Sequence, residues 1–176
     1  MDRTTAAFES LKNIQDLIKF MDQKAGALFV VYGFIITIFV EFSKRLKFVN
    51  LLELDSFGEI TLSSITFLIG AVLIFYMAYQ LYLIVVFILK PRKSMHYNPQ
   101  HLSVMYYGHI AEMGKSNFVQ KFEDMEDKEL TKEVLEQVFE VSKIMEQKSN
   151  YLEKTMSCLP YTIIGLLTFI LFSEIV

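Results

Sequence analysis

Ala25–Phe42 reads AGALFVVYGFIITIFVEF and holds one charge, Glu41, near its far end. As a helix it reaches about 27 Å, close to the ~30 Å hydrocarbon core of a bilayer. The residues before it, Phe20-Met21-Asp22-Gln23-Lys24, are partly charged and contain neither Pro nor Gly. A charged amphipathic stretch therefore runs into an apolar one with no loop between them. That is the pattern of a helix that leaves a soluble compartment and crosses a membrane, and the rest of the chain is organised around the crossing.

Upstream, Phe8, Leu11, Ile14, Leu17, Ile18, Met21 and Ala25 recur at three- and four-residue spacing. Residues 1–24 are thus expected to form one amphipathic helix, with Thr4 or Thr5 as candidate caps. Its polar side mixes Glu9, Lys12, Asp16, Lys19 and Lys24. A face of mixed sign favours packing on protein over binding an anionic lipid surface. Charges placed this early do not make a signal peptide, so the apolar segments are expected to stay in the mature chain.

Downstream, Ser43-Lys44-Arg45-Leu46-Lys47 closes the first span, and Gly58 marks a turn in the loop 43–59. Ile60–Leu89 contains no Asp, Glu, Lys, Arg or His and is the second span. Its helix would reach about 45 Å, longer than the core. Tyr76, Tyr79, Gln80 and Tyr82 are expected to sit at the interface, followed by a protruding stem. Pro91, inside Lys90-Pro91-Arg92-Lys93, stops the helix.

Residues 94–116 are the least regular part, and 103–108 are compatible with an extended or a helical form. Residues 118–156 read as two helices, with a break in the acidic stretch Met125–Lys132 and Thr131 as a cap candidate. Leu130, Val134, Val138, Val141, Met145, Leu152 and Met156 make an apolar stripe, and the Glu/Lys pairs around it are expected to be solvated. The third span, 155–173, follows without an obvious linker and contains Pro160 near its start.

The fold class is therefore an all-α membrane protein. Three transmembrane helices (25–42, 60–89 and 155–173) accompany a cytoplasmic helical module (1–24 and 90–154), whose long helices are continuous with spans one and three. Lys and Arg number four in residues 1–24, three in 43–59 and ten in 90–154. The positive-inside rule then puts the first and last groups in the cytoplasm, the 43–59 loop outside, and the C-terminus outside.

A net charge of −3 argues against a general nucleic-acid binder, which needs a basic face. The single cysteine, Cys158, rules out an intrachain disulfide framework and lies in an apolar run, where it reads as a small buried hydrophobe. His96, His101 and His109 are spaced wrongly for a one-face helical metal site. No phosphate-binding glycine loop, HExxH, CxxC or nucleophile triad is present, so enzymatic activity and a bound cofactor are not expected. Thr37, Thr66 and Thr168 are the main mid-span polar groups, and the lack of mid-span Asp, Glu, Lys or Arg argues against a transporter or proton pump. Asp22 and Lys24, two apart on a helix, cannot simply pair with each other, so each must meet water, a lipid headgroup or another helix.

Several short elements, in order, resemble the transmembrane effector family of the bacterial Pycsar anti-phage systems, from about Leu11 to Phe172. Asp22-Gln23-Lys24-Ala25 matches an Asp-x-Lys-Ala element at the head of the first span. Tyr106-Tyr107-Gly108-His109-Ile110 is similar to an aromatic-Gly-x-Ile element after the second, with His109 where the pattern has an acidic residue. Gln137-Val138, Ser142-Lys143-Ile144 and the Lys148…Tyr151 pair follow before the third span.

The resemblance implies an effector of the inner membrane, multi-pass, that a cyclic pyrimidine nucleotide activates. The nucleotide, cUMP ahead of cCMP, would come from a partner pyrimidine nucleotide cyclase. Activation would impair the bilayer and kill the infected cell. Several copies would associate as a homo-oligomer. On this reading Arg92, Lys93 and Lys148 are candidate phosphate partners, Tyr106 and Tyr107 candidate stacking surfaces, and Asp22 and Lys24 a polar joint at the head of span one. Anchoring and core packing are the competing roles for the five nucleotide candidates. The competing function is a structural or regulatory membrane subunit whose cytoplasmic helices dock a partner protein.

Overall fold

The computed structural model describes residues 2–44, 57–91 and 102–175. Among these every regular element is helical: α1 Arg3–Ser43, α2 Phe57–Leu83 continued by a π-helical stretch Ile84–Leu89, α3 Tyr107–Met113, α4 Lys115–Glu123 and α5 Asp127–Ile175. Three helical stretches, Arg3–Ser43, Ile60–Leu89 and Asp127–Ile175, are long and apolar enough to cross a membrane. The protein is thus an all-α, three-span membrane protein.

The helix limits follow from local chemistry. Asp2 starts α1, its carbonyl accepting the Ala6 N–H at 3.1 Å. Thr4, a cap candidate by sequence, instead shares a 2.7 Å hydrogen bond with Thr131. Gly58 lies inside α2, not in a turn. Helix α5 starts after Glu126, whose carbonyl accepts the Leu130 N–H at 2.9 Å, and Asp127 and Glu129 favour the positive end of its dipole. Thr131, the other cap candidate, is inside the helix and donates back to the Asp127 carbonyl at 2.7 Å. Gly114 joins α3 to α4 at φ 72° and ψ 162°, a backbone geometry that strongly favours glycine.

The chain divides into two compact units. The membrane unit comprises Asp22–Lys90 and Asn150–Val176. Its core is Ile35, Phe39, Leu73, Met77, Leu166 and Phe169. Phe39 and Phe169 have ring centroids 4.7 Å apart, and Tyr32 faces Thr162. Both pairs have the same sequence offset, so α1 and α5 run parallel here. Helix α2 runs antiparallel to them, since Gly70 lies beside Phe169 and Tyr79 beside Lys154. A Cβ on Gly70 would come within 2.9 Å of the Phe169 ring, so glycine is what lets the helices approach. Phe34, Phe67, Phe75 and Leu171 point outward and are exposed, as lipid-facing side chains are.

The other unit comprises Met1–Met21 and Pro91–Ser149. Ala7 and Leu11 of α1 pack with Val134 and Val141 of α5, and Ile14, Ile18, Met105 and Val138 close the cluster. The middle of the 118–156 stripe (Val134, Val138 and Val141) and the stripe of the first helix thus bury each other, as amphipathic faces do, whereas Met156 at its far end is exposed.

Candidate functional site

In the second unit the segment 102–113 folds onto α5, with Ser103 at the centre. Ser103 is fully buried. Its hydroxyl donates to the Glu133 carboxylate, its backbone N–H donates to His109 Nδ1 at 3.0 Å, and its Oγ accepts the Met105 N–H at 3.1 Å. Lys121 of α4 donates to the Leu102 carbonyl. One short stretch is therefore held from α3, α4 and α5 together.

The aromatic-glycine element forms the first turn of α3. Tyr106 is extended and its carbonyl accepts the Ile110 N–H at 3.0 Å. Its ring meets Tyr107 at 4.9 Å and the edge of His109 at 5.0 Å between centroids. A Cβ on Gly108 would come within 2.8 Å of Tyr106 Cε1, so glycine makes room for the folded-back ring. Tyr107 is exposed and Tyr106 half-buried.

Glu133, Glu140 and Lys148 are all buried, at seven- and eight-residue intervals on one broad side of α5. This corrects the expectation of a solvated charged face. Only part of that face is solvated, as in the exposed Lys132–Glu136 and Lys143–Glu146 pairs at 3.9 and 2.9 Å. Buried charges require partners, and Glu133, Glu140 and Lys148 each have one. Lys148 is thus already engaged, and Tyr106 belongs to the packing of α3. Tyr107 offers an open ring. Arg92 and Lys93 lie outside the described residues.

Asp22 is half-buried and Lys24 exposed, and both make interactions. Ala25, next to them, is fully buried, so the element presents a small residue inward beside two polar ones.

A cleft of about 700 Å³ opens between the first turns of α1 and α5, above the Thr4–Thr131 bond. Arg3, Lys128 and Lys132 line it together with Asp127. The two helices start side by side, and their free N–H groups favour negative charge. The sequence reading had missed these cations. Their placement rests on pairing residues more than a hundred positions apart, which no local motif reports.

Within the membrane unit, Lys154 Nζ donates to the Tyr79 hydroxyl at 3.2 Å and lies 5.6 Å from its ring centroid. That bond raises the Lys154 pKa above its ordinary value. Tyr79 and Tyr82 are exposed as an interfacial belt requires, but Tyr76 is half-buried beside Cys158 and Gln80 is fully buried. Thr37 and Thr168 donate to the Gly33 and Ile164 carbonyls of their own helices, and Thr66 to Leu62. Among the described residues of this unit the interior polar groups are Tyr32, Thr66, Gln80, Thr155, Thr162 and Ser173.

The family model of the Pycsar effector protein domain, PycTM, matches residues 6–173. The chain belongs to that family. As a Pycsar effector it resembles the Pycsar effector protein SaPycTM of Staphylococcus aureus, to which it is 26% identical over 152 residues, 85% of this chain and 84% of that protein. No solved structure matches it. The family match runs through both units of this Pycsar effector, so the spans and the second unit's helices belong to one domain.

Proposed function

We propose that this protein is the membrane effector of a bacterial anti-phage system. A cyclic pyrimidine nucleotide, cUMP ahead of cCMP, activates it, and the activated protein impairs the inner membrane of the infected cell. The observation that carries this reading is the family match over residues 6–173, which takes in the spans and the non-spanning helices together. The nucleotide comes from a partner cyclase. The N-terminus and residues 90–154 lie in the cytoplasm and the C-terminus in the periplasm, in keeping with the distribution of Lys and Arg.

The non-spanning unit is the receiver. The cleft lined by Arg3, Lys128 and Lys132, with Asp127 and apolar side chains beside them, has room for a nucleotide and three cations for its phosphate, and the exposed ring of Tyr107 offers a second, stacking surface. Arg92 and Lys93 remain phosphate candidates by composition. Because α1 and α5 pass unbroken through both units, with Asp22 and Lys24 on the way, a change in receiver packing has a route to the bilayer. The ligand drives that change only if it binds the active arrangement more tightly than the resting one. Exposed Leu17, Phe122 and Phe139 on the receiver favour assembly of several copies. The same residues would serve the second reading, a membrane subunit that docks a different protein.

The test is leakage from liposomes that contain the purified protein, with and without cUMP or cCMP, beside calorimetry against a cyclic-nucleotide panel. Nucleotide-dependent leakage is expected. Binding of no cyclic nucleotide and intact vesicles throughout would leave the docking subunit as the better reading.

A further inference from the structure

The apolar core of the membrane unit gives way to polar side chains between its helices. Tyr32 and Thr162 are fully buried, with Oη and Oγ1 3.5 Å apart, and Thr162 also donates to the Cys158 carbonyl at 3.2 Å. The Tyr76 hydroxyl interacts with the Cys158 thiol and lies near Tyr32. Thr155, two turns before Thr162 on α5, is fully buried as well. All three helices therefore contribute a hydroxyl to one interior seam.

Gln80 stands one turn beyond Tyr76 on α2 and is 0% exposed. Neither its Nε2 nor its Oε1 has a hydrogen-bond partner among the described residues. A primary amide has two donors and an acceptor to satisfy. Buried in a bundle surrounded by lipid, such a group is costly to leave orphaned and is a functional marker where it occurs. A few residues on, α2 changes to the π-helical stretch Ile84–Leu89, with Lys90 N–H bonded to the Val85 carbonyl at 3.0 Å. Such turns are rare and give a helix a place to rewind.

The geometry points to a permeation path inside the membrane unit itself, lined by Tyr32, Tyr76, Gln80, Cys158 and Thr162 and taking water and small monovalent cations when the protein is active. Tyrosine and threonine oxygens and the Gln80 carbonyl are neutral acceptors that replace part of a cation's hydration. In the packing of the structure these side chains are buried or half-buried between the helices, and Gln80 has no partner among the described residues; we take this as the resting state. Separation of the helices hydrates the amide, so the resting state stores a bias toward opening. The inference rests on the reading that the protein permeabilises the membrane, and names where.

The test uses the full chain in potassium-loaded liposomes, triggered with cUMP and with cCMP. Cys158 is the only cysteine, so a positively charged methanethiosulfonate reports hydration of the seam directly. In the wild type, Cys158 should react at least about tenfold faster during leakage than at rest, and its modification should reduce the flux. Gln80→Met, similar in length and apolar, should reduce triggered potassium efflux by about tenfold while nucleotide binding by calorimetry is unchanged. Gln80→Glu should keep the flux and raise its preference for potassium over chloride. Efflux from Gln80→Met at the wild-type rate overturns the path. So does Cys158 reacting at its resting rate while the wild type leaks, a result that does not depend on any variant folding. A wild type that leaks with neither nucleotide overturns the function proposed above and this path with it.

Discussion

The backbone N–H of Ser103 donates to His109 Nδ1 at 3.0 Å, while the hydroxyl of the same serine donates to Glu133. Nδ1 therefore carries no proton here, and the ring N–H is at Nε2. The bond ties the loop before α3 to the helix that follows, and the hydroxyl ties both to α5. Ser103→Ala leaves a buried carboxylate short of a donor, which should cost about 1–3 kcal/mol of stability. Thermal unfolding of the detergent-purified variant checks this, and a midpoint equal to wild type would show that water replaces the hydroxyl without loss.

Gly108→Ala should displace the Tyr106 ring, because the new Cβ would lie 2.8 Å from Cε1. A destabilisation of about 1–3 kcal/mol is expected. The same change in a Tyr106→Ala background should cost much less, since the obstructing ring is gone. The double-mutant cycle measures the difference.

Gly70→Ala tests the corresponding approach inside the membrane unit. Its Cβ would come within 2.9 Å of Phe169 Cε2 and 3.7 Å of Phe39 Cζ. The three-helix packing should loosen by about 1–3 kcal/mol. Phe169→Leu should rescue part of that loss, as read by the midpoint of unfolding in mixed micelles.

Asp22→Ala and Lys24→Ala should leave membrane insertion and expression unchanged and abolish nucleotide-triggered killing. Fractionation and survival of cells co-expressing a cyclase read the two properties separately. Variants that insert and kill as wild type would reduce the pair to an interfacial anchor.

The Lys154–Tyr79 contact should be indifferent to pH over the physiological range. Hydrogen bonding to Tyr79 raises the Lys154 pKa from its ordinary 10.5, so the contact's contribution is fully present below that value and is lost as pH rises through the raised one. Tyr79→Phe should bring the titration of Lys154 back toward the ordinary value, measured by NMR of the labelled lysine side chain.

The spans were legible because charge is absent from Ile60–Leu89 and nearly absent from Ala25–Phe42, and lipid selects for composition before it selects for contacts. The break before α5 was legible in the acidic run ahead of Lys132. Interior polarity was harder. Thr37, Thr66 and Thr168 attract notice as hydroxyls within a span, yet each bonds its own helix backbone, an arrangement any helical threonine can reach. Gln80 looked interfacial because of the tyrosines around it. Its place on the stripe Leu73, Met77, Gln80, Ile84 and Ile88, all buried, was the signal that could have put it inside. Buried Glu133 carried no such signal. It depends on Ser103, thirty residues away, and on a loop whose course composition does not determine.

The π-helical stretch Ile84–Leu89 has a genetic consequence. A π turn accommodates about one residue more than an α turn, so the end of the second span carries a surplus amino acid. Deleting one codon there would close the helix into regular α geometry instead of shearing it. The residues on either side of the deletion would keep nearly their present register, because six π-helical residues cover about the same rotation as five α-helical ones. Leu83 and Lys90 are therefore joined by a stretch that can lose one residue in frame while both flanks keep the faces they present.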